Sequence, residues 1–236
     1  MVQQRAVEPD DTPPRARPRL SRPAIAEAAL KLIDDGGMPA LTMRRLGQAL
    51  GVEAMSLYEY VANKDEILED ILGSLFNEVE LPDQNDRPWE ELACELFCAF
   101  RCMLLAHPHA VTLVASRAVQ PLEALAPIEM SLGIFRRAGF GRQGAVDAHR
   151  VLQSFTIGYL LAETSVLNDP TAVPNSWGTA AYALRELPAD TLPHLSELAQ
   201  VAIDRVADEQ FPALLMVIIS GLRTELRPEP GTASPT

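Results

Sequence analysis

The residues best suited to contact a ligand lie between positions 42 and 64. In the run MRRLGQALGVEAMSLYEYV (43–61), the apolar Leu46, Leu50, Val52 and Leu57 are spaced to point inward from two crossing helices. Arg44, Arg45, Ala54, Met55, Ser56, Tyr58 and Tyr60 are left outside, a set suited to phosphate oxygens and base edges. Gly51 supplies a turn with positive φ, and Gly47 is small where the two helices must approach closely. Such a pair is either a rigid nucleic-acid-reading unit or two helices of a larger bundle that happen to meet at a glycine. Enzymatic signatures are missing: the chain has no G-x-x-x-x-G-K-[ST], H-E-x-x-H or G-x-S-x-G, and the G-x-G-x-x-G match at 139–144 (GFGRQG) has no strand before it, as a dinucleotide site requires. No catalytic residue, cofactor or metal is expected.

The elements that must position this set are helical throughout. Residues 1–20 hold four of the nineteen prolines and no apolar period, which reads as a disordered arm. Ser21 then caps a helix with Pro23 in its first turn and Ile25, Ala28, Ala29, Leu32 and Ile33 on one face, stopped by Gly36-Gly37. Thr42 caps a second helix, a third segment spans Glu53–Val61, and Asn63 and Glu66 offer a capping box for a long fourth helix. The acidic stretch 78–88 reads as a linker. Beyond it the apolar period is helical over 89–106, 109–116, 121–138, 143–167, 192–208 and 210–226, and the tail 228–236 is disordered by composition. The fold class is all-α: a helix-turn-helix domain over 21–66 and a helical ligand-binding and dimerisation domain over 67–227.

A net charge of −12 argues against a nucleic-acid partner until its distribution is considered. Residues 1–64 carry nine basic against eight acidic residues, and the remainder eleven against twenty-four. Only the first segment can lie against phosphates, and Arg15, Arg17, Arg19 and Arg22 within it have no acid between them. The arm either enters a minor groove or stays a solvated tail. No apolar run is long enough to cross a membrane, and the first residues are polar and acidic, so no membrane partner and a cytoplasmic location are expected.

The run LTMRRLGQALGVEAMSLYEYVANKDEIL strongly resembles the DNA-binding domain of the tetracycline-repressor (TetR) family. FRCMLLAH (100–107), RRAGF (136–140) and FTIGYLLAE (155–163) are similar to its tetracycline-sensing branch, so the resemblance covers roughly residues 21–168. It implies that 53–61 is a recognition helix for the major groove of a double-stranded DNA operator. Thr42, Arg44, Arg45, Ala54, Met55, Ser56, Tyr58, Tyr60 and Lys64 are the implied DNA-binding set. Arg44 would bond a guanine and Tyr58 approach bases or sugars, with Ser56, Tyr60 and Lys64 on phosphates. Ala54 and Met55 depart from the family pattern of a polar amide and a proline, which points to apolar contact with thymine methyls.

In the second domain the resemblance implies a small-molecule inducer pocket. Phe100 matches an aromatic pocket position, Glu80 and Ser131 polar ones, and His107 lies near by. Val114 stands about where the tetracycline sensors place a metal-chelating histidine, so a magnesium–tetracycline inducer is not expected. A homodimer is expected, with the helices at 143–167 and 210–226 as its interface. Val151, Leu152, Phe155, Ile157, Leu160 and Leu161 on one and Leu214, Leu215, Val217, Ile218 and Leu222 on the other are more apolar surface than one face can bury internally, the alternative for part of each being an internal core helix. Cys94, Cys98 and Cys102 share a helical face, but the outer two are about 12 Å apart at 1.5 Å rise per residue, too far to hold one ion. Buried small hydrophobes are the expected reading. Repression with release by inducer is the function implied; activation, or a helical binding module that ignores DNA, are the alternatives.

Overall fold

The computed structural model describes residues 20–168, 193, 194, 197 and 207–224, and every regular element among them is helical. Helix α1 (Arg22–Gly36) begins where Ser21 Oγ accepts from the Ala24 amide and ends at Gly37, whose φ of 69° needs no Cβ. After a 3₁₀ turn (Met38–Ala40), α2 (Met43–Leu50) is capped by Thr42, whose Oγ1 accepts from the Arg45 amide. It stops at Gly51 in the left-handed region, φ 69° and ψ 31°. Next come α3 (Ala54–Leu57) and α4 (Lys64–Asn77).

The start of α4 corrects one expectation. Asn63 Oδ1 accepts from the Glu66 amide as expected, but Glu66 Oε2 accepts from the Ala62 amide at 2.6 Å rather than from Asn63. That bond is the main reason the Glu66 carboxyl lies below its ordinary range. Arg22 extends the same cluster, reaching Glu66 and both carboxylate oxygens of Asp70, so α1 and α4 are tied at their exposed edge.

Beyond 77 the chain forms α5 (Trp89–Ala106), a 3₁₀ turn (Pro108–Ala110), α6 (Val111–Ser116), a second 3₁₀ turn (Leu122–Leu125), α7 (Ala126–Arg137), α8 (Arg142–Asn168) and α9 (Ala207–Thr224). The expected helix over 121–138 therefore opens as 3₁₀; Pro121 and Pro127 each withhold an amide there. The expected helix over 192–208 lies almost wholly outside the described residues, as do the arm up to residue 19 and the tail.

One apolar core runs through the whole, from Ile25, Ile33 and Leu46 through Ile71, Leu75 and Phe76 to Phe135, Leu152 and Phe211. Helix α4 belongs to both ends of it, so the expected boundary between 66 and 67 falls inside a single rigid rod. Trp89, Phe135 and Phe140 meet edge to face, with centroids 5.3 to 6.0 Å apart, and pin the start of α5 to the end of α7. At the far end the buried Arg101 pairs with Glu163 at 2.8 Å, and its guanidinium lies 5.1 Å over the Phe211 ring. A charge with both an ionic partner and an aromatic face is compensated for its burial, and this one joins α5, α8 and α9.

Candidate nucleic-acid interface and cavity

The crossing of α2 and α3 is set by packing. Leu46 and Leu57 are fully buried between α1 and the pair. A Cβ on Gly47 would stand 2.8 Å from the Val52 carbonyl oxygen and 3.1 Å from the Ala54 amide nitrogen, so only glycine lets the start of α3 sit this close. The expected nine-residue recognition helix is a correction. Only Ala54–Leu57 is α-helical, and from Tyr58 the amides bond three residues back, Tyr58 to Met55, Glu59 to Ser56 and Tyr60 to Leu57. Tyrosine is only a middling α-helix former, and buried Val61, whose amide bonds the Leu57 carbonyl at 3.1 Å, anchors the end of the turn.

Burial divides the segment as its period predicts. Leu57 is fully buried, whereas Met55 is 74% exposed, Tyr58 46% and Tyr60 39%. Thr42, Arg44 and Arg45 are exposed on the neighbouring α2, and Ala54 and Ser56 are half-buried. Thr42 is also the α2 cap, which fixes its hydroxyl as an acceptor for the Arg45 amide. Lys64 adds something the sequence did not reveal: its Nζ donates to the Leu41 carbonyl at 2.8 Å. These residues make one shallow face of donors around an exposed methionine, a surface able to meet phosphates at its rim and base edges at its centre. Glu59 is exposed beside it and disfavours an anion there.

The second feature is a partly open cavity between α4, α5, α7 and α8, about 290 Å³ with its solvent-filled mouth and about 20 Å³ enclosed. Its walls are Phe76, Val79, Leu96, Phe97, Phe100, Pro127 and Ile128, with Ser131, His149 and Gln153 as the polar corner. His149 Nδ1 lies 3.0 Å from Ser131 Oγ, and burial holds the ring below its ordinary pKa, so it is neutral at pH 7. Phe100 and Ser131, two of the expected ligand-binding residues, line this cavity. Three other expected ligand-binding residues do not line the cavity. Glu80 is exposed beyond the end of α4, Val114 is 6% exposed in the core, and His107 is occupied by Asp34 and Glu78. His149 and Gln153 were missed; both sit on α8, where a polar residue among apolar neighbours carries no distinguishing signal.

The cysteines are free thiols, but they are less buried than expected: Cys94 and Cys98 are half-buried and Cys102 is exposed. A hydrogen bond with Cys98 holds the Cys94 thiol down at about 7, and the same contact pushes Cys98 up. Among the described residues no group of histidine, cysteine or carboxylate side chains is arranged to hold a metal ion. No single described helix is long and apolar enough to cross a membrane. On α8 and α9, Val151, Leu161, Leu214 and Val217 are exposed, Leu152, Leu160 and Leu215 fully buried, and Phe155, Ile157, Ile218 and Leu222 between the two. The two helices therefore close the core with one face and leave apolar side chains on another.

Residues 25–71 match the family of bacterial regulatory proteins called tetR, and residues 81–226 match the tetracyclin repressor-like C-terminal domain. An HTH-type transcriptional regulator of Saccharopolyspora erythraea is 34% identical over 150 residues, which is 64% of this chain and 64% of that regulator's own length. The tetracycline repressor protein class C of Escherichia coli is 28% identical over 212 residues, 86% of this chain and 91% of the repressor. Among solved structures, apo ActR of Streptomyces coelicolor superposes with a TM-score of 0.77 at 28% identity, covering 88% of this chain and 96% of ActR. ActR in complex with actinorhodin gives 0.76 at 29%, covering 88% and 98%.

Proposed function

The chain belongs to the TetR family of bacterial regulatory proteins, and on that premise we propose that it is a repressor which binds a palindromic operator as a homodimer and releases it when a small molecule fills the cavity. Transcriptional regulation through DNA is the function the family assigns. The observation that carries the rest is the exposure pattern of residues 55–60. A methionine three-quarters exposed and two exposed tyrosines flank a leucine that is fully buried, on a turn held rigid by Gly47. Exposed apolar area of this kind, ringed by arginines, suits the floor of a major groove with thymine methyls.

The DNA-binding residues are Thr42, Arg44, Arg45, Ala54, Met55, Ser56, Tyr58, Tyr60 and Lys64. One head offers too few contacts for a specific site, and the exposed Val151, Leu161, Leu214 and Val217 supply the apolar face through which α8 and α9 of two copies form a bundle. The inducer is a largely apolar, aromatic molecule with one hydrogen-bonding end for Ser131, His149 and Gln153. Val114, apolar and buried where the sensors of tetracycline hold a chelating histidine, argues against a magnesium–tetracycline complex. The purified protein is to be mixed with fragments of its host genome, the retained fragments sequenced, and a library of small aromatic molecules screened for release. Retention of a few palindromic fragments, with release by some of the library, is expected. Equal retention of all fragments overturns operator binding, and saturating cavity ligands that leave the complex intact overturn induction.

A further inference from the structure

The turn that closes α5 carries two histidines that reach the first helix of the DNA-reading head. His107 Nδ1 lies 2.9 Å from Asp34 Oδ2, and its Nε2 lies 3.1 Å from Glu78 Oε2. His109 Nδ1 donates to the Asp34 carbonyl at 2.8 Å. Asp34 is in the last turns of α1, and Glu78 caps α4, so one imidazole joins three elements. An ionised carboxylate only accepts, and a neutral imidazole has a single N–H. A carboxylate on each ring nitrogen is therefore satisfied only by the doubly protonated cation. Asp34 Oδ1 is buried and has no hydrogen-bond partner among the described residues, so losing His107 would strand that carboxylate.

Chain neighbours of these residues line the cavity. Phe76 and Val79, which bracket Glu78, line it, and Phe100 lines it two turns before His107 on α5. The enclosed part of that cavity is only about 20 Å³, room for little more than one water molecule, so a larger occupant must push its walls apart, and Phe76 and Val79 on either side of Glu78 are among those walls.

We propose that His107 is the positioning residue coupling the cavity to the reading head: as an imidazolium clasp it holds α1 and α4 in the DNA-competent arrangement, and an occupant that displaces Glu78 opens it. The inference rests on the reading that a cavity ligand releases DNA. The charged groups facing the ring are Asp34 from α1 and Glu78 from α4. His109 on the same turn faces the Asp34 carbonyl, and α8, packed on the turn, places no charge against the ring. Burial opposes the cation, yet the two carboxylates outweigh it and the pKa is raised. A raised value means that the clasp is complete at acidic pH and is lost as pH rises through the folded value.

The test uses the full-length protein and a DNA fragment it retains, followed by fluorescence anisotropy from pH 6 to 9 at fixed ionic strength. Nitrogen NMR of the ring supplies an independent readout. Wild type should lose affinity as pH rises, and His107 should carry protons on both nitrogens at pH 6. His107→Gln should bind about 5- to 150-fold more weakly at the acidic end, with a flatter profile. Should that variant fail to fold, Glu78→Gln, at the exposed end of α4, should shift the wild-type midpoint to lower pH. A neutral His107 ring at pH 6, or a His107→Gln profile that matches wild type, overturns the clasp while leaving repression intact. A wild type that retains no fragment at any pH overturns the regulatory reading and the coupling with it.

Discussion

The ammonium of Lys64 lies 2.8 Å from the carbonyl oxygen of Leu41, so the first residue of α4 is tied to the residue preceding the α2 cap. An ammonium has three donors, and this bond leaves two of them for a phosphate. Lys64→Met should lose about 1 kcal/mol of stability from the bond. It should also weaken DNA binding evenly across sequences and reduce the salt slope by about 1. Thermal melts and binding titrations in salt separate the two effects; an unchanged slope would confine Lys64 to structure.

Arg44 and Arg45 are adjacent and both exposed, but they carry different expectations. Arg44→Ala should lose about 1–3 kcal/mol of discrimination at one base pair, as expected when a bidentate guanine contact is removed. Arg44→Lys should not restore it, because a point charge lacks the planar fork. Binding-site selection with randomised fragments reads this directly, and an unaltered consensus would contradict the assignment.

Gly47 has no room for a methyl group, with the Val52 carbonyl oxygen 2.8 Å from where its Cβ would be. The obstacle is backbone, which cannot rotate aside. Gly47→Ala should cost about 1–3 kcal/mol in stability and abolish operator binding by shifting α3. Gly133→Ala on α7, where the nearest atom is the movable guanidinium end of Arg137 at 3.1 Å, is the control and should lose neither stability nor operator binding.

His149 and His107 respond to pH with opposite signs. Burial lowers the His149 pKa from 6.5, so the unfolded chain takes up its proton first. The stability it contributes is complete above the unfolded value and is lost as pH falls below it. Asp34 and Glu78 raise His107 despite its burial, so its contribution is complete below the unfolded value and is lost as pH rises. Denaturant unfolding of His149→Gln should show a smaller stability loss between pH 7 and 5 than wild type; an identical acid limb would contradict a buried neutral ring.

The Cys98 thiol donates to its neighbour and holds Cys94 at about 7. Brief alkylation at pH 7.5 followed by peptide mapping should therefore label Cys94 and the exposed Cys102 before Cys98. Preferential labelling of Cys98 would reverse the direction of that hydrogen bond.

Much of the head was legible because its signals are local. Ser21, Thr42 and Gly51 act within a turn of where they stand, and the period of Ile25, Ala29 and Ile33 requires no knowledge of distant residues. The contacts that were not legible join residues far apart in sequence. His107 meets Asp34 across 73 positions and Arg101 meets Glu163 across 62, and nothing in either neighbourhood marks the partner. The cavity follows the same rule. Phe100 and Ser131 were singled out through resemblance alone, and His149 and Gln153 join them at the cavity wall only because α8 packs on α7. The overlong recognition helix arose because periodicity cannot separate an α-helical turn from the 3₁₀ turn that continues it.

Hydroxyl-radical footprinting of the full-length protein on a retained genomic fragment is the most direct measurement of the central claim. Two related patches of protection are expected, centred about 10–10.5 base pairs apart or a multiple of that spacing, with both lost in Gly47→Ala. Uniform cleavage of every fragment at low ionic strength would contradict it.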